Sequence, residues 1–593
     1  MAFSRLRYFL ILFLLAVVAW SGNSMLHLAL WGYLPFWFLA ALWGATVLFV
    51  STRYTRHPLN LSLLGASLGS GCLLWLGFPT MPFTFLMFVG FVPLLWVYRQ
   101  VRAHSSPKSH WQLFRYVFCA MLTWNILSTW WVCNAGFLAG IVANILNALL
   151  MTVPWVMYHR IEPRLKLWQG YVALVSFWMT FEHIHQSWDM SWPWLTLGNA
   201  LAQQPTWIQW YAWTGTSGGT LWILVVNILC YSLLRSRLDA GIFPVFRRWL
   251  PIIAALVVPI FISVLIYVTY SPTGETVEVV AIQPNYEPFY EKFDIPDNVQ
   301  WQRFTKLSEE KLTPNTAFLV FPETSFSVGE EHELGTNSNV RTAKDLVQKY
   351  PRLALATGSD SYWVFRAGES TSGHDAIRDK PRYRDTLHYE AYNSALLLTA
   401  KDSMLQVYHK SKLVPGPEVL PFKHLLGFLQ PIVQHLGGTM AGLGTQRERA
   451  VFRHGKLAIA PVICYESIYG DYSTGYIRNG AQAIFIMTND GWWDDTPGYL
   501  QHRAFSQLRA IETRRDVVRA ANTGSSCSID QRGCVTQATP YNVATAIRGN
   551  MRFNSAMTFY ARFGEILSWL AVLVGCILFL AGVLKGRHRD VSA

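Results

Sequence analysis

Charge is scarce in this chain. Only 14% of its 593 residues are Asp, Glu, Lys or Arg, against roughly 25% in soluble globular domains. Hydrophobic residues make up 52%, and the mean hydropathy is +0.22. That balance excludes a disordered chain and argues against a wholly soluble one. Cysteine supplies no framework either. Cys72, Cys119, Cys133, Cys230, Cys464, Cys527, Cys534 and Cys576 include no CxxC pair and no zinc-ligand spacing with His. Five lie in apolar segments, where a buried thiol behaves as a small hydrophobe. Cys527 and Cys534 could meet across a hairpin in an oxidising compartment, but their register about Asp530–Gly533 is offset, which disfavours a bond. The sequence shows no internal repeat, no long low-complexity stretch and no nucleotide-binding motif. No A-x-A-like cleavage site follows the first apolar run, so that run is expected to stay as a span rather than be removed as a signal peptide.

Aromatic and apolar residues are abundant instead. Twenty-one of the 26 Trp precede residue 271, a bias that suits membrane interfaces. Runs of the length needed to cross a bilayer are read near 8–21, 27–50, 60–77, 80–98, 114–133, 136–158, 168–186, 215–234 and 250–271, with a tenth near 563–584. The net charge of +13 invites a nucleic-acid reading, but the basic residues form no single patch. Arg5 and Arg7 precede the first span. Arg53 and Arg56 follow the second; Arg99, Arg102 and Lys108 the fourth; Arg160, Arg164 and Lys166 the sixth; Arg235, Arg237, Arg247 and Arg248 the eighth. Lys585, Arg587 and Arg589 end the chain. Every cluster falls after an even number of crossings, which puts all of them on the cytoplasmic side. The expected organisation is a membrane domain over 1–271 with about nine helices, an extracytoplasmic domain over 272–562, and a C-terminal span with a short basic tail over 563–593.

Residues 272–562 differ in composition and carry most of the acids. Short β-rich runs at 277–283, 317–321, 353–357, 394–399, 457–464 and 483–488 alternate with helical patterns at 299–312 and 501–515. That alternation predicts an α/β domain. The stretch from Arg366 to Tyr389 reads as a polar, mobile loop.

Three strand ends in this domain carry reactive side chains. Glu323 follows the run Ala317–Phe321, and ligands of open α/β sheets gather at strand carboxyl ends. A Glu there, beneath apolar neighbours, could have a raised pKa and serve as a general base, or it could merely cap a helix. Lys410 and Lys412 lie in Tyr408-His409-Lys410-Ser411-Lys412-Leu413-Val414-Pro415. A Lys near a developing oxyanion stabilises it, although two loop lysines are more often a solvated pair. Strand alternation cannot choose between them, because both fall on one face. Cys464 ends the apolar run Ile459–Ile463, where a thiol beside a base becomes a nucleophile. A lone buried Cys is more often inert.

The stretches Phe321-Pro322-Glu323-Thr324, Tyr408–Pro415 and Ile463-Cys464-Tyr465-Glu466, with Asn489-Asp490-Gly491-Trp492-Trp493, together resemble the nitrilase (carbon–nitrogen hydrolase) superfamily. The similarity is closer to its membrane branch, the apolipoprotein N-acyltransferases. Further matches are Tyr392-Asn393-Ser394, Gln501–Glu512, Arg519–Gly524 and the membrane-domain loop Ser191-Trp192-Pro193-Trp194-Leu195. The resemblance covers roughly residues 60–584, and the two most N-terminal spans look additional to the usual set. It implies a multi-pass α-helical membrane domain joined to an α/β nitrilase-like domain, an αββα sandwich. It implies Glu323 as general base, Lys410 as oxyanion-stabilising lysine and Cys464 as nucleophile, supported by Glu418, Tyr465 and Glu466. Lys410 rather than Lys412 matches, being three residues before Leu413-Val414-Pro415. Asn393, Tyr290, Phe293 and Trp492 are candidate substrate-binding residues.

Two departures stand out. Gly416-Pro417-Glu418 replaces the usual Phe-Gly-Glu, and no Trp follows Ile282-Gln283 closely; Phe289, Tyr290 and Phe293 are the nearest aromatics. The implied activity is transfer of a fatty acyl chain from a phospholipid to the N-terminal amine of a diacylglyceryl-modified lipoprotein, through a thioacyl-enzyme. The implied setting is a bacterial inner membrane, with the catalytic domain in the periplasm, a monomer, and neither cofactor, metal nor nucleic acid required. The competing readings are a membrane-tethered amidase or nitrilase acting on a small soluble substrate, and a transporter. Transport would need ionisable groups inside the spans, for which Glu182, His183 and His185 are the few candidates.

Overall fold

The computed structural model describes residues 2–51, 58–104, 109–240, 246–292, 294–366, 368–374, 376–382, 385–401, 405–422 and 442–591. Among the described residues, eight helical stretches are long and apolar enough to cross a membrane: Arg5–His27, Leu34–Ser51, Asn60–Gly77, Thr84–Ala103, Phe137–Arg164, Thr216–Ser236, Leu250–Thr269 and Ile566–Lys585. They coincide with eight of the ten spans read from the sequence. The other two segments are also helical, at Ser109–Thr129 and Leu167–Ile184, but they lie inside the bundle. Ser109–Thr129 buries Thr123, Asn125, Ser128 and Thr129, and Asn147 donates to the Asn125 side chain at 2.7 Å. Leu167–Ile184 buries Glu182, whose carboxylate accepts from Trp178, the Leu197 N–H and Thr220 at 2.6–2.9 Å. A helix packed against protein over much of its surface needs less lipid-facing apolar surface, so polar residues on its packed face lower its hydropathy at little cost.

Two spans are broken. The segment read as 80–98 is a 3₁₀ turn at Thr84–Phe88 followed by a helix at Val92–Ala103, and 136–158 is split into Phe137–Leu150 and Val153–Ile161. Pro93 and Pro154 stand in the first turn of each following helix, where a missing N–H is tolerated. Close helix packing depends on Gly71: a Cβ there would lie 2.4 Å from the Ala120 carbonyl.

The α/β part is built from β1 (Glu275–Gln283), β2 (Thr316–Val320), β3 (Phe326–Glu330), β4 (Ala354–Val364), β5 (Ile377–Arg382), β6 (Asp385–Thr399), β7 (Gln406–His409), β8 (Phe452–His454), β9 (Leu457–Ile463), β10 (Ala483–Thr488), β11 (Val517–Ala521), β12 (Cys527–Ile529), β13 (Val535–Ala538) and β14 (Thr545–Phe553). One sheet runs β14-β1-β2-β4-β6-β5, with β3 on β4 and β7 on β6; the other runs β13-β12-β11-β10-β9-β8. Strand alternation divides the side chains. Phe318 and Val320 of β2 join the core that holds Ile459, Ala460 and Phe485, whereas Leu319 and Phe321 join Trp301, Phe304, Val340 and Val347. The rings of Phe318 and Phe485 meet at 5.2 Å, which locks the sheets face to face. Helices Asp297–Glu309 and Ser338–Gln348 cover the outside of the first sheet; Gly470–Arg478 and Pro497–Thr513 cover the second. The four layers are the αββα arrangement that the resemblance implies.

One sequence expectation changes. The Arg366–Tyr389 stretch is not a loop throughout, because β5 pairs antiparallel with β6 over Ile377–Arg382. Its edge residues Arg378, Asp379 and Lys380 disguise it as a loop, since edge strands tolerate charge. Cys527 and Cys534 are both free, in line with the offset register. Cys527 stands opposite Ala538 in the ladder, and the Cys534 Sγ sits 3.2 Å from the Tyr267 hydroxyl.

Candidate active site

The first sheet delivers Glu323 just past the end of β2. Its turn is tight: Thr324 has φ 46, in the left-handed region that a β-branched residue rarely enters. Gly358 of β4 makes the turn possible. The Gly358 N–H donates to the Pro322 carbonyl at 3.1 Å, and a Cβ on Gly358 would lie 2.5 Å from the Glu323 Cα. Lys410 follows directly on β7, where its N–H donates to the Asn393 carbonyl at 2.8 Å. Its side chain is buried, and Nζ donates to Glu323 Oε1 at 3.1 Å and to Glu418 Oε1 at 2.8 Å. The Asn393 amide donates to the same two oxygens, at 2.8 and 3.3 Å. Glu418 is held in turn by the Val414 N–H at 2.7 Å. Lys412 goes elsewhere: Nζ donates to the Gln186 carbonyl at 3.0 Å and lies over the Tyr469 ring. Both lysines stand beyond the strand, so the strand-face ambiguity disappears.

The second sheet delivers Cys464. Its φ of 46 breaks β9 into a 3₁₀ turn, Cys464–Ile468. The Cys464 carbonyl accepts from Ser467 Oγ at 2.7 Å and faces His502 Nε2 at 3.1 Å. The other His502 nitrogen lies 3.1 Å from Asp490, which pairs with Arg519. Glu466 is buried and ties the two halves together. It accepts from the Ile463 and Ser411 N–H groups at 2.9 and 2.7 Å and from Tyr408 at 2.6 Å. Tyr465 points the other way, donating to the Ser191 carbonyl at 2.9 Å and stacking on Trp192. The Ser191–Leu195 loop therefore lies directly behind the Cys464 turn. Gln501 extends this contact, accepting from Trp194 and donating to the Pro79 and Ser128 carbonyls at 2.6–3.1 Å.

The raised carboxyl expected of Glu323 from its apolar neighbours is not what the structure gives: burial pushes it up, but the Lys410 ammonium and the Asn393 hydrogen bond more than offset this and hold it below its ordinary value. Burial pulls the Lys410 ammonium down, yet Glu323 and then Glu418 hold it well above. Burial pushes the Cys464 thiol up, and the Glu323 charge adds to this; Lys410 and a hydrogen bond with Thr488 oppose it. The resting pattern is an ionised carboxylate, an ammonium and a neutral thiol. The carboxylate is a base beside a thiol that does not ionise unaided.

A cavity of about 350 Å³ opens over this group, lined by Glu323, Thr324, Asp360, Asn393, Glu418 and Trp492 among others. Lys410 and Cys464 are 1% and 7% exposed and form no part of that lining. Tyr290 stands half exposed outside it, while Phe289 packs edge-on against Trp492 at 5.1 Å. Phe293 lies outside the described residues. Sequence reasoning missed Lys292, Thr324, Gly358 and Asp360. Lys292 sits in a charged stretch that reads as surface, although the nearby run Pro284–Phe289 hints at a packed turn.

Residues 70–229 match the family model for the apolipoprotein N-acyltransferase N-terminal domain, and residues 278–548 match that for carbon–nitrogen hydrolases. Proteins named apolipoprotein N-acyltransferase are similar over most of the chain. The relative from Chlorobaculum tepidum is 27% identical over 560 residues, covering 90% of this chain and 98% of its own. That from Geobacter metallireducens is 25% identical over 88% of this chain and 95% of its own, and that from Thermotoga maritima 25% identical over 70% and 72%. Among solved structures, yeast Nit3 of the nitrilase superfamily aligns at 13% identity with 48% of this chain and 92% of its own, with a TM-score of 0.33. A membrane-domain match and a hydrolase-domain match in one chain, with full-length relatives of one name, lead to one conclusion: the chain belongs to the apolipoprotein N-acyltransferase family.

Proposed function

We propose that this protein transfers a fatty acyl chain from a phospholipid to the N-terminal amine of a diacylglyceryl-cysteine lipoprotein, with Glu323, Lys410 and Cys464 as catalytic residues. The observation that carries the reading is the convergence of Glu323 and Lys410 with the strained Cys464 turn on the face that docks onto the membrane helices. Glu323 takes the proton from Cys464 Sγ. The thiolate attacks the ester carbonyl carbon, and Lys410 stabilises the oxyanion. Collapse of the tetrahedral species breaks the ester C–O bond; the departing glycerol oxygen takes the proton from Glu323, and lysophospholipid leaves a thioester on Cys464. The lipoprotein amine then attacks that carbonyl, gives its proton to Glu323, and the thiolate departs and is reprotonated. Glu418 and Asn393 orient Lys410 and Glu323. Tyr465 and Glu466 hold the Cys464 turn between the Ser191–Leu195 loop and the Lys410 segment. Asn393 and Trp492 are the candidate substrate-binding residues best supported by their place on the cavity wall.

The catalytic part, residues 272–562, belongs on the periplasmic side of the inner membrane in this reading, because every basic cluster falls on the other side. Both substrates are lipids, which accounts for a hydrolase-type fold fastened to a bilayer. The test is reconstitution with phospholipid and a diacylglyceryl-cysteine peptide. N-acylated peptide and lysophospholipid should appear in equal amounts. Release of ammonia from a soluble amide, with no acylated peptide, would instead identify an amidase.

A further inference from the structure

A second lysine sits behind the Glu323 turn. Lys292 is 3% exposed. Its N–H donates to the Glu287 carbonyl at 2.8 Å, and the Gln300 amide donates to its carbonyl at 2.9 Å. Its Nζ donates to the Glu323 carbonyl at 2.9 Å and to Thr324 Oγ1 at 2.5 Å. Both acceptors belong to the turn that carries the Glu323 carboxylate. An ammonium is costly to bury unless its surroundings return that cost, and here they do so at a turn whose Thr324 backbone is in the left-handed region.

The charges around the cavity show why two lysines are needed. Glu323, Glu418 and Asp360 line it. Lys410 faces Glu323 and Glu418. Asp360, Glu323 and Cys464 are the groups whose charge bears on Lys292. Glu466 also feels the Lys410 charge, and the Asp490 charge bears on Cys464. Burial pulls the Lys292 ammonium down to about 8, with Asp360 and Glu323 opposing, so at neutral pH it remains charged. When Lys410 turns to the substrate oxyanion, its pairing with Glu323 weakens, and Lys292 is the cation left behind that carboxylate.

We propose that Lys292 is a positioning residue for the acyl transfer: it locks the Glu323–Thr324 turn and keeps a second positive charge behind the Glu323 carboxylate, so that Glu323 stays aimed and ionised while Lys410 serves the oxyanion. The inference rests on the acyltransferase reading above.

The experiment is the rate of lipid-thioester formation against pH, on the purified full chain with phospholipid alone, for the wild type, Lys292→Met, Lys292→Arg and Thr324→Ala. Lys292→Met should slow the step on the order of 100-fold at pH 7 and move its acidic limb up by about one pH unit. Lys292→Arg should recover much of the rate and the native limb. Thr324→Ala should slow the step several-fold with the limb unmoved, because the charge remains. A Lys292→Met protein with the native rate overturns the proposal. So does a loss equal at every pH that Lys292→Arg does not repair, which would mean scaffolding only. If Lys292→Met does not fold, the other two variants decide: a native rate in Thr324→Ala, or a displaced limb in Lys292→Arg, refutes it. A wild type that forms no thioester would sink the acyltransferase reading itself, and the two failures are distinct.

Discussion

Lys410→Met removes the one cation that the structure places between the buried Glu323 carboxylate and the partly buried Glu418 carboxylate. Nζ is 3.1 Å from Glu323 and 2.8 Å from Glu418. Unit charges at about 3 Å attract by roughly 5 kcal/mol at an effective dielectric near 20. Removing one partner of a buried pair costs about 3–5 kcal/mol, since the other charge is left uncompensated. Here two carboxylates remain, sharing only the Asn393 amide. Native Glu323 is held below its ordinary value, so it contributes stability above the unfolded-state value that is lost as pH falls through the folded one. Without Lys410 the shift reverses: burial and the Glu418 charge outweigh the Asn393 hydrogen bond and the weaker pull of Lys292 on the Glu323 carboxyl, and the variant gains stability as it takes up a proton on acidification. Thermal unfolding of the purified protein in detergent should therefore show Lys410→Met most destabilised near pH 8 and partly recovered near pH 5. Thioester formation should fall at least 100-fold, the scale of a lost oxyanion donor. Lys412→Met should cost roughly 1.5–3 kcal/mol for one charged hydrogen bond, with no reversal in its pH dependence and mild loss of turnover. Equal losses in the two variants, or a Lys410→Met protein that loses stability on acidification as the wild type does, would refute the reasoning.

Other outcomes follow from the same geometry. Gly358→Ala puts a Cβ 2.5 Å from the Glu323 Cα, backbone against backbone; it should displace the base and cut thioester formation about 100-fold, and a variant with native kinetics would contradict the close contact. Because Glu323 is held below its ordinary value, acylation by phospholipid should stay flat from neutral pH to about 5 and decline only below the usual Glu range near 4.3; a half-maximal rate at pH 6 or above would contradict the ionised base. For topology, a membrane-impermeant maleimide should label Ser372→Cys in intact spheroplasts and Lys166→Cys only after lysis, and the reverse pattern would invert the assigned sidedness.

Much of this architecture was legible because buried strands announce themselves as short apolar runs. β1, β2, β9 and β10 are such runs, and three of the site's side chains follow strand ends. The long strand β6 was seen only over 394–399, because its first half pairs with the polar edge strand β5 and carries Thr386, His388 and Glu390. The helices at Ser109–Thr129 and Leu167–Ile184 were recognised as apolar segments, yet what fills them is internal polar bonding by Asn125 and Glu182, which a hydropathy count cannot anticipate. Choosing Lys410 over Lys412 needed the resemblance, since spacing alone left both open. Lys292 was invisible for a different reason: a lysine after Tyr290-Glu291 looks solvated, and only the folded turn brings it against Glu323. Gly358 likewise matters through what crosses it, not through any local pattern.

The central claim is that acyl transfer proceeds through a thioester on Cys464. The mass of the intact protein after incubation with phospholipid alone tests it most directly. One fatty acyl mass should be added, released by neutral hydroxylamine and discharged onto a diacylglyceryl-cysteine peptide; Cys464→Ala should show no adduct, and Glu323→Gln should form it slowly because the thiol keeps its proton. An adduct that persists in Cys464→Ala, or a wild-type protein that acylates the peptide with no adduct at any time, would contradict the account.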